Sequence, residues 1–137
     1  MAVANFEELC KGYCEIAGFP APSLAPDAHG IEAFHLRLRD VAVTVGHEPA
    51  KALERAFVVI EFGPVPKDRE EDAWPALLDA NFLMLRDGMP IFSRNPVNGD
   101  VLLQMSCAFS RVTALELVQL VDAFVGVAID WRRPDQP

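Results

Sequence analysis

The stretch Phe34-His35-Leu36-Arg37-Leu38-Arg39-Asp40-Val41-Ala42-Val43-Thr44-Val45 alternates apolar and polar side chains with a period of two, the mark of strands with one buried face. If Arg39-Asp40 is a two-residue turn, Leu38 faces Val41, Leu36 faces Val43 and Phe34 faces Val45, so every apolar side chain falls on one side of a hairpin. Arg-Asp is not a favoured pair for such a turn, and the register rests on the alternation instead.

On the N-terminal side, Asn5 with Glu8 three residues later has capping-box spacing and predicts a helix running to Gly18. Phe6, Leu9, Cys10, Tyr13, Ile16 and Ala17 recur on one face of it. Residues 20–30 contain three prolines and no periodicity, so they form an extended connection. On the C-terminal side, Ala56 to Phe62 is apolar on both faces except at Glu61, which predicts a strand covered on both sides. Lys67 to Asp72 reads as a solvated charge run, with Asp72 capping a second helix over Ala73–Arg86 and Pro75 in its first turn.

That helix is apolar almost all round, which one sheet face cannot bury. Ile91 and Phe92 open a short strand. Asn98-Gly99 signals a turn, and Val101, Leu103, Met105, Cys107 and Phe109 alternate along a fifth strand. Thr113 and Glu116 form a second capping-box pair before the stripe Leu117, Val121, Phe124, Ala128 and Trp131. The predicted class is therefore α+β, an antiparallel sheet with helices in the order α-β-β-β-α-β-β-α.

The 137 residues hold 12 Lys and Arg against 20 Asp and Glu, a net charge of −8, and 51% are hydrophobic. This composition describes a globular domain whose apolar excess calls for a covering partner. The acidic balance argues against nucleic acid and against anionic membrane surfaces, both of which need clustered cations. The chain opens without a signal-peptide pattern and contains no run of about 18 apolar residues. Together with three cysteines, these features lead us to expect a cytoplasmic protein with reduced thiols.

Candidates for chemistry are few. Cys10 and Cys14 lie one helical turn apart, but four-ligand metal spacing is missing, so they read as core residues. His29, His35 and His47 read as exposed. No nucleophile motif, phosphate loop or isolated carboxylate pair stands out, so we expect no enzyme activity, no cofactor and no metal.

The segments Ala76-Leu77-Leu78-Asp79-Ala80-Asn81-Phe82-Leu83, Pro96-Val97-Asn98-Gly99-Asp100-Val101-Leu102-Leu103 and Ala128-Ile129-Asp130-Trp131 resemble the Tir-chaperone (CesT-like) family of bacterial type III secretion chaperones. The Leu-Leu-x-Ala-Asn run is the most specific piece, and the resemblance makes residues 1–137 one chaperone-like domain. Departures are Ser93-Arg94-Asn95-Pro96 and the more polar path Cys107 to Arg111. The resemblance implies a cytoplasmic homodimer that binds the non-globular N-terminal segment of a secreted effector and keeps it export-competent, without hydrolysing ATP.

Two residue sets follow as expectations. Leu78, Phe82, Leu85, Ile91 and Phe92 are expected to form a two-fold dimer interface, because the second helix carries more apolar surface than its sheet can cover. Tyr13, Phe34, Leu36, Val43, Val58 and Ile60 are expected to bind the effector, with Val58 and Ile60 on the outward side of the doubly apolar strand. The alternative function is a small-molecule-binding or thiol-dependent protein of the same fold that uses Cys10 and Cys14.

Overall fold

The computed structural model describes residues 5–51, 53–84 and 89–132. Three helices, α1 (Phe6–Ala17), α2 (Glu70–Leu83) and α3 (Ala114–Trp131), accompany five strands: β1 (Glu32–Leu38), β2 (Val41–His47), β3 (Arg55–Gly63), β4 (Ile91–Arg94) and β5 (Val101–Ala108). The sheet is antiparallel throughout, in the order β1-β2-β3-β5-β4. Helix α3 lies against β3 and β2 and packs on α1, while α2 sits on β4.

The first hairpin has the expected register, with Leu38 opposite Val41, Leu36 opposite Val43 and Phe34 opposite Val45. Its turn residues Arg39 and Asp40 have φ of 50° and 65°, as the primed two-residue turn requires. Neither is glycine, so the turn needs outside support. Arg39 donates to the Asp122 carbonyl of α3, and Arg132 donates to the Asp40 carbonyl at 2.8 Å. The same Arg132 guanidinium donates to the Glu61 and Phe62 carbonyls, where β3 bulges and its pairing with β5 shifts. One side chain at the end of α3 thus ties down both the turn and the bulge.

Asn5 caps α1 by accepting from the Glu8 N–H, and Gly18 ends it at φ 83°. Thr113 and Glu116 exchange both hydrogen bonds of a capping box at α3. Helix α2 departs from expectation by starting at Glu70, after a single 3₁₀ turn over Lys67–Arg69. Its three acids occupy the first turn, where the helix dipole favours them, so the charge run is part of the helix rather than a loop. Pro75 consequently lies inside the helix instead of in its first turn.

One continuous core lies between the sheet and the helices. It contains Leu9, Cys10 and Tyr13 of α1, Val43 and Val45 of β2, Val58 and Ile60 of β3, Leu103 of β5 and Leu117, Val121 and Val125 of α3. The other face of β3 carries Phe57 and Val59, which are half-buried, so the strand is fully covered on one face and not on both. Gly46, opposite Phe57, has no side chain to block the Phe57 ring lying across it.

Candidate functional site

A sheet of this kind has two edges, and they are finished differently. At β4 the backbone N–H and carbonyl of Phe92 point away from β5, and both are taken by one side chain. The Asn81 carboxamide of α2 accepts from the Phe92 N–H at 2.6 Å and donates to its carbonyl at 2.9 Å. That edge is capped where a partner strand would add.

At β1 the geometry is open. The two-residue turn makes Leu38–Val41 a hydrogen-bonded pair, and the alternation along an antiparallel ladder then turns the backbone groups of Ala33, His35 and Arg37 away from β2. Among the described residues no strand lies on that side. Beside the edge is a cleft of about 390 Å³, lined by Cys14, Phe19, Pro20, Phe34 and Leu36, where the extended chain after α1 passes β1. A peptide added to β1 therefore finds main-chain partners at alternate residues and an apolar recess for a side chain.

The residues expected to bind an effector divide on this geometry. Phe34 and Leu36 line the cleft, Phe34 buried and Leu36 half-buried. Tyr13 is buried beneath them, its ring 6.0 Å from that of Phe34. Val43, Val58 and Ile60 are closed into the core between the sheet and the helices. The expectation that Val58 and Ile60 face outward is corrected: pairing with β2 and β5 turns them toward the helices and leaves Phe57 and Val59 on the other face. Both faces of this strand are apolar, so the residue types alone did not distinguish them.

The apolar excess of the second helix is real surface. Leu78 is 66% and Phe82 76% exposed, Leu83 is exposed beside them, and Ile91 on β4 is 42% exposed. Phe92 instead points inward, its ring edge-on to Phe62 at 5.4 Å. Leu85 lies outside the described residues. Leu77 alone is buried among the described residues of α2.

The thiols are poor nucleophiles. Burial pushes the Cys10 thiol well above its ordinary 9.0, and Cys14 beside it adds to the shift. Burial raises Cys14 and Cys107 as well, although Arg55 partly offsets it at Cys107. Among the described residues no group of three or more His, Cys, Asp or Glu gathers as a metal site. His47, expected to be exposed, is buried between the rings of Phe6 and Phe109, each 5.3 Å away. One ring nitrogen contacts the Leu53 carbonyl at 2.7 Å and the other Glu32 at 3.3 Å. Phe6, Glu32 and Phe109 come from other parts of the chain, so no local pattern announced its burial.

No curated protein matches the chain in sequence. Among solved structures, the Yersinia pestis type III secretion chaperone SycH, in complex with a stable fragment of YscM2, superposes with a TM-score of 0.67 at 11% identity, over 91% of this chain and 98% of that one. A chain of the ExsC–ExsE complex gives 0.69 at 19% identity, over 93% and 91%. YbjN from E. coli, a candidate transcription regulator, gives 0.55 at 12% identity, over 96% and 92%. These likenesses establish the fold, which more than one kind of protein shares. Sequence decides further: the family model of the Tir chaperone proteins matches residues 17–132, from the last turn of α1 to the end of α3. The chain belongs to the Tir chaperone protein (CesT) family.

Proposed function

We propose that this type III secretion chaperone holds an extended segment of a secreted effector along the free edge of β1, with apolar side chains of the segment seated in the cleft between β1 and the chain after α1. The single observation that carries the binding mode is the contrast between the two sheet edges. At the β4 edge Asn81 takes both backbone groups of Phe92, whereas β1 presents the backbone of Ala33, His35 and Arg37 beside an apolar recess. An unfolded client offers main-chain groups and isolated apolar anchors, which is what this edge accepts. Action by binding in the cytoplasm, rather than by the thiol-dependent alternative, is supported by Cys10 and Cys14, which are buried and whose thiols burial raises.

Self-association completes the reading. Leu78, Phe82 and Ile91 leave an apolar surface on α2 and β4, away from β1 at the opposite end of the sheet, so a homodimer built there leaves the β1 edge of each protomer free.

His35→Pro tests the binding mode. Proline removes a donor that points away from β2, so the hairpin keeps its own ladder while strand addition loses a bond and meets the ring. Co-purification of the client from the source bacterium, followed by limited proteolysis, should yield an N-terminal client fragment on the wild-type protein and about tenfold less on the variant at unchanged circular dichroism. Equal recovery on both would remove β1 from the binding surface.

A further inference from the structure

Strand addition at β1 fixes where each side chain of the added strand goes. Residues directly opposite each other in a ladder project to the same face. Client residues opposite Phe34 and Leu36 therefore turn toward the apolar cleft, and those opposite Ala33, His35 and Arg37 turn to the face of the sheet away from the helices. A slip of one residue reverses the two faces and is rejected by the cleft. A slip of two keeps the alternation intact, so only the side chains on the outer face can fix the register.

On that face of β1 the one permanently charged side chain is Arg37, which is exposed. It donates to the Asp40 carbonyl at 3.4 Å, a long contact to an oxygen that Arg132 already holds at 2.8 Å. The ladder sets Ala42 beside it, too small to cover it, and Glu61 beyond Ala42, two strands and about 10 Å away. Among the described residues Arg37 forms no ion pair, with Glu61, with Asp40 or with any other acid. Its neighbour Arg39 differs, being directed to the Asp122 carbonyl of α3. A cation without an acidic partner thus stands at the open edge of a chain whose net charge is −8.

We infer that Arg37 sets the register of the client strand by taking an acidic side chain opposite it, so that β1 holds a stretch of the form acid, apolar, any residue, apolar, read from the N-terminal side of the client. The acid meets Arg37, the two apolar residues lie opposite Leu36 and Phe34, and the residue between them lies opposite His35, whose ring is engaged by the Thr44 hydroxyl at 2.9 Å. The order follows from antiparallel addition, the sense of every ladder in this sheet and the more stable one per residue. This inference rests on the reading of β1 as the client-binding edge and adds to it which segment of a client is held there. The net charge draws basic clients toward the molecule as a whole, whereas the pair at Arg37 repels a lysine and attracts a carboxylate, so the two signs act on arrival and on register respectively.

The test uses two end-capped peptides of equal composition and equal net charge, Ser-Glu-Leu-Ser-Leu-Lys-Ser and Ser-Lys-Leu-Ser-Leu-Glu-Ser, titrated into the isotopically labelled full-length protein. Binding is followed at the backbone amides of Ala33, His35 and Arg37, and the overall acidity of the protein acts equally on both peptides. The wild-type protein should bind the peptide with glutamate first about three- to tenfold more tightly than the one with lysine first. Arg37→Glu should reverse that preference, and Arg37→Gln, which removes the charge with less change of character, should bring the two peptides to within about twofold of each other. Equal affinities in the wild-type protein, tighter binding of the peptide with lysine first, or a preference that survives both substitutions would overturn the inference while leaving strand addition at β1 in place. If the three amides stay still with both peptides, the β1 edge is not the binding surface and the inference falls with that reading.

Discussion

Asn81 does for β4 what a neighbouring strand would do, because its carboxamide has one acceptor and one donor at the spacing of a backbone pair. Asn81→Ala leaves the Phe92 N–H and carbonyl half-buried without partners. Urea unfolding should show a loss of about 1–3 kcal/mol, together with faster aggregation, as the edge becomes open to other chains. A loss within about 0.5 kcal/mol would mean that water replaces the side chain at no cost. The buried ionisable groups of α1 predict a pH dependence of opposite sign to acid denaturation. Cys10 and Cys14 are raised by burial from the ordinary 9.0, and Tyr13 is raised from 10.0 by burial and then by Asp122. Each stays protonated in the folded chain while its unfolded counterpart ionises. Their contribution is whole below about pH 9 and is lost as pH rises beyond it, at up to about 1.4 kcal/mol per pH unit for Cys10 alone. The urea midpoint should therefore hold level up to pH 8 and fall above 9, and Cys10→Ala should flatten that fall.

Strand β3 illustrates what residue patterns can and cannot assign. The first hairpin was legible to the residue because only one of its faces is apolar, and a slip of one position would have exposed every valine of β2. In β3, Phe57 and Val59 are as apolar as Val58 and Ile60, so the choice of face waits on the helices above it. The start of α2 was hidden for a related reason: consecutive acids look like a solvated loop until the helix dipole is counted. The surplus apolar surface of α2 was legible, since no single stripe could hold its leucines and phenylalanine, whereas the Asn81 contact joins residues that no local period relates. The two faces of β3 give a direct comparison by mutation. Val58→Ser with Ile60→Ser empties two fully buried positions and strands hydroxyls there, at a cost on the order of 5 kcal/mol, comparable to the whole stability of a small domain. That protein should lose its near-ultraviolet circular dichroism. Phe57→Ser with Val59→Ser alters half-buried side chains and should remain folded, with a loss of about 1–2 kcal/mol. Equal damage from the two pairs would mean that both faces are covered in the folded protein.

Across the molecule, the features divide from one end of the sheet to the other. Strand β1 lies at one edge with an open backbone, and β4 with α2 lies at the other, capped at Phe92 by Asn81 and apolar on its surface. Such a surface suits a second copy better than an extended peptide, because Leu78, Phe82 and Leu83 sit on one rigid helix and a two-fold axis beside it lets the patch cover itself. A dimer formed there carries two β1 edges pointing outward, which allows one long client segment to engage both protomers and to gain from the second contact without a new binding site. Phe82→Asp tests this arrangement where the protomer has little to lose, since 76% of that residue is already exposed. Burying one phenylalanine contributes about 1.5–3 kcal/mol, and the substitution acts twice in a two-fold interface, so dissociation should strengthen by about two to four orders of magnitude. Light scattering at micromolar concentration should give twice the 15.1 kDa protomer mass for the wild-type protein and the protomer mass for Phe82→Asp, with far-ultraviolet circular dichroism unchanged. A wild-type protein at the protomer mass would leave the α2 surface without its self-partner, while a variant still at twice that mass would move the two-fold contact elsewhere. If dimerisation serves avidity, the monomeric variant should still take up a short peptide at β1 with unaltered affinity and should lose affinity only for a client segment long enough to span both edges.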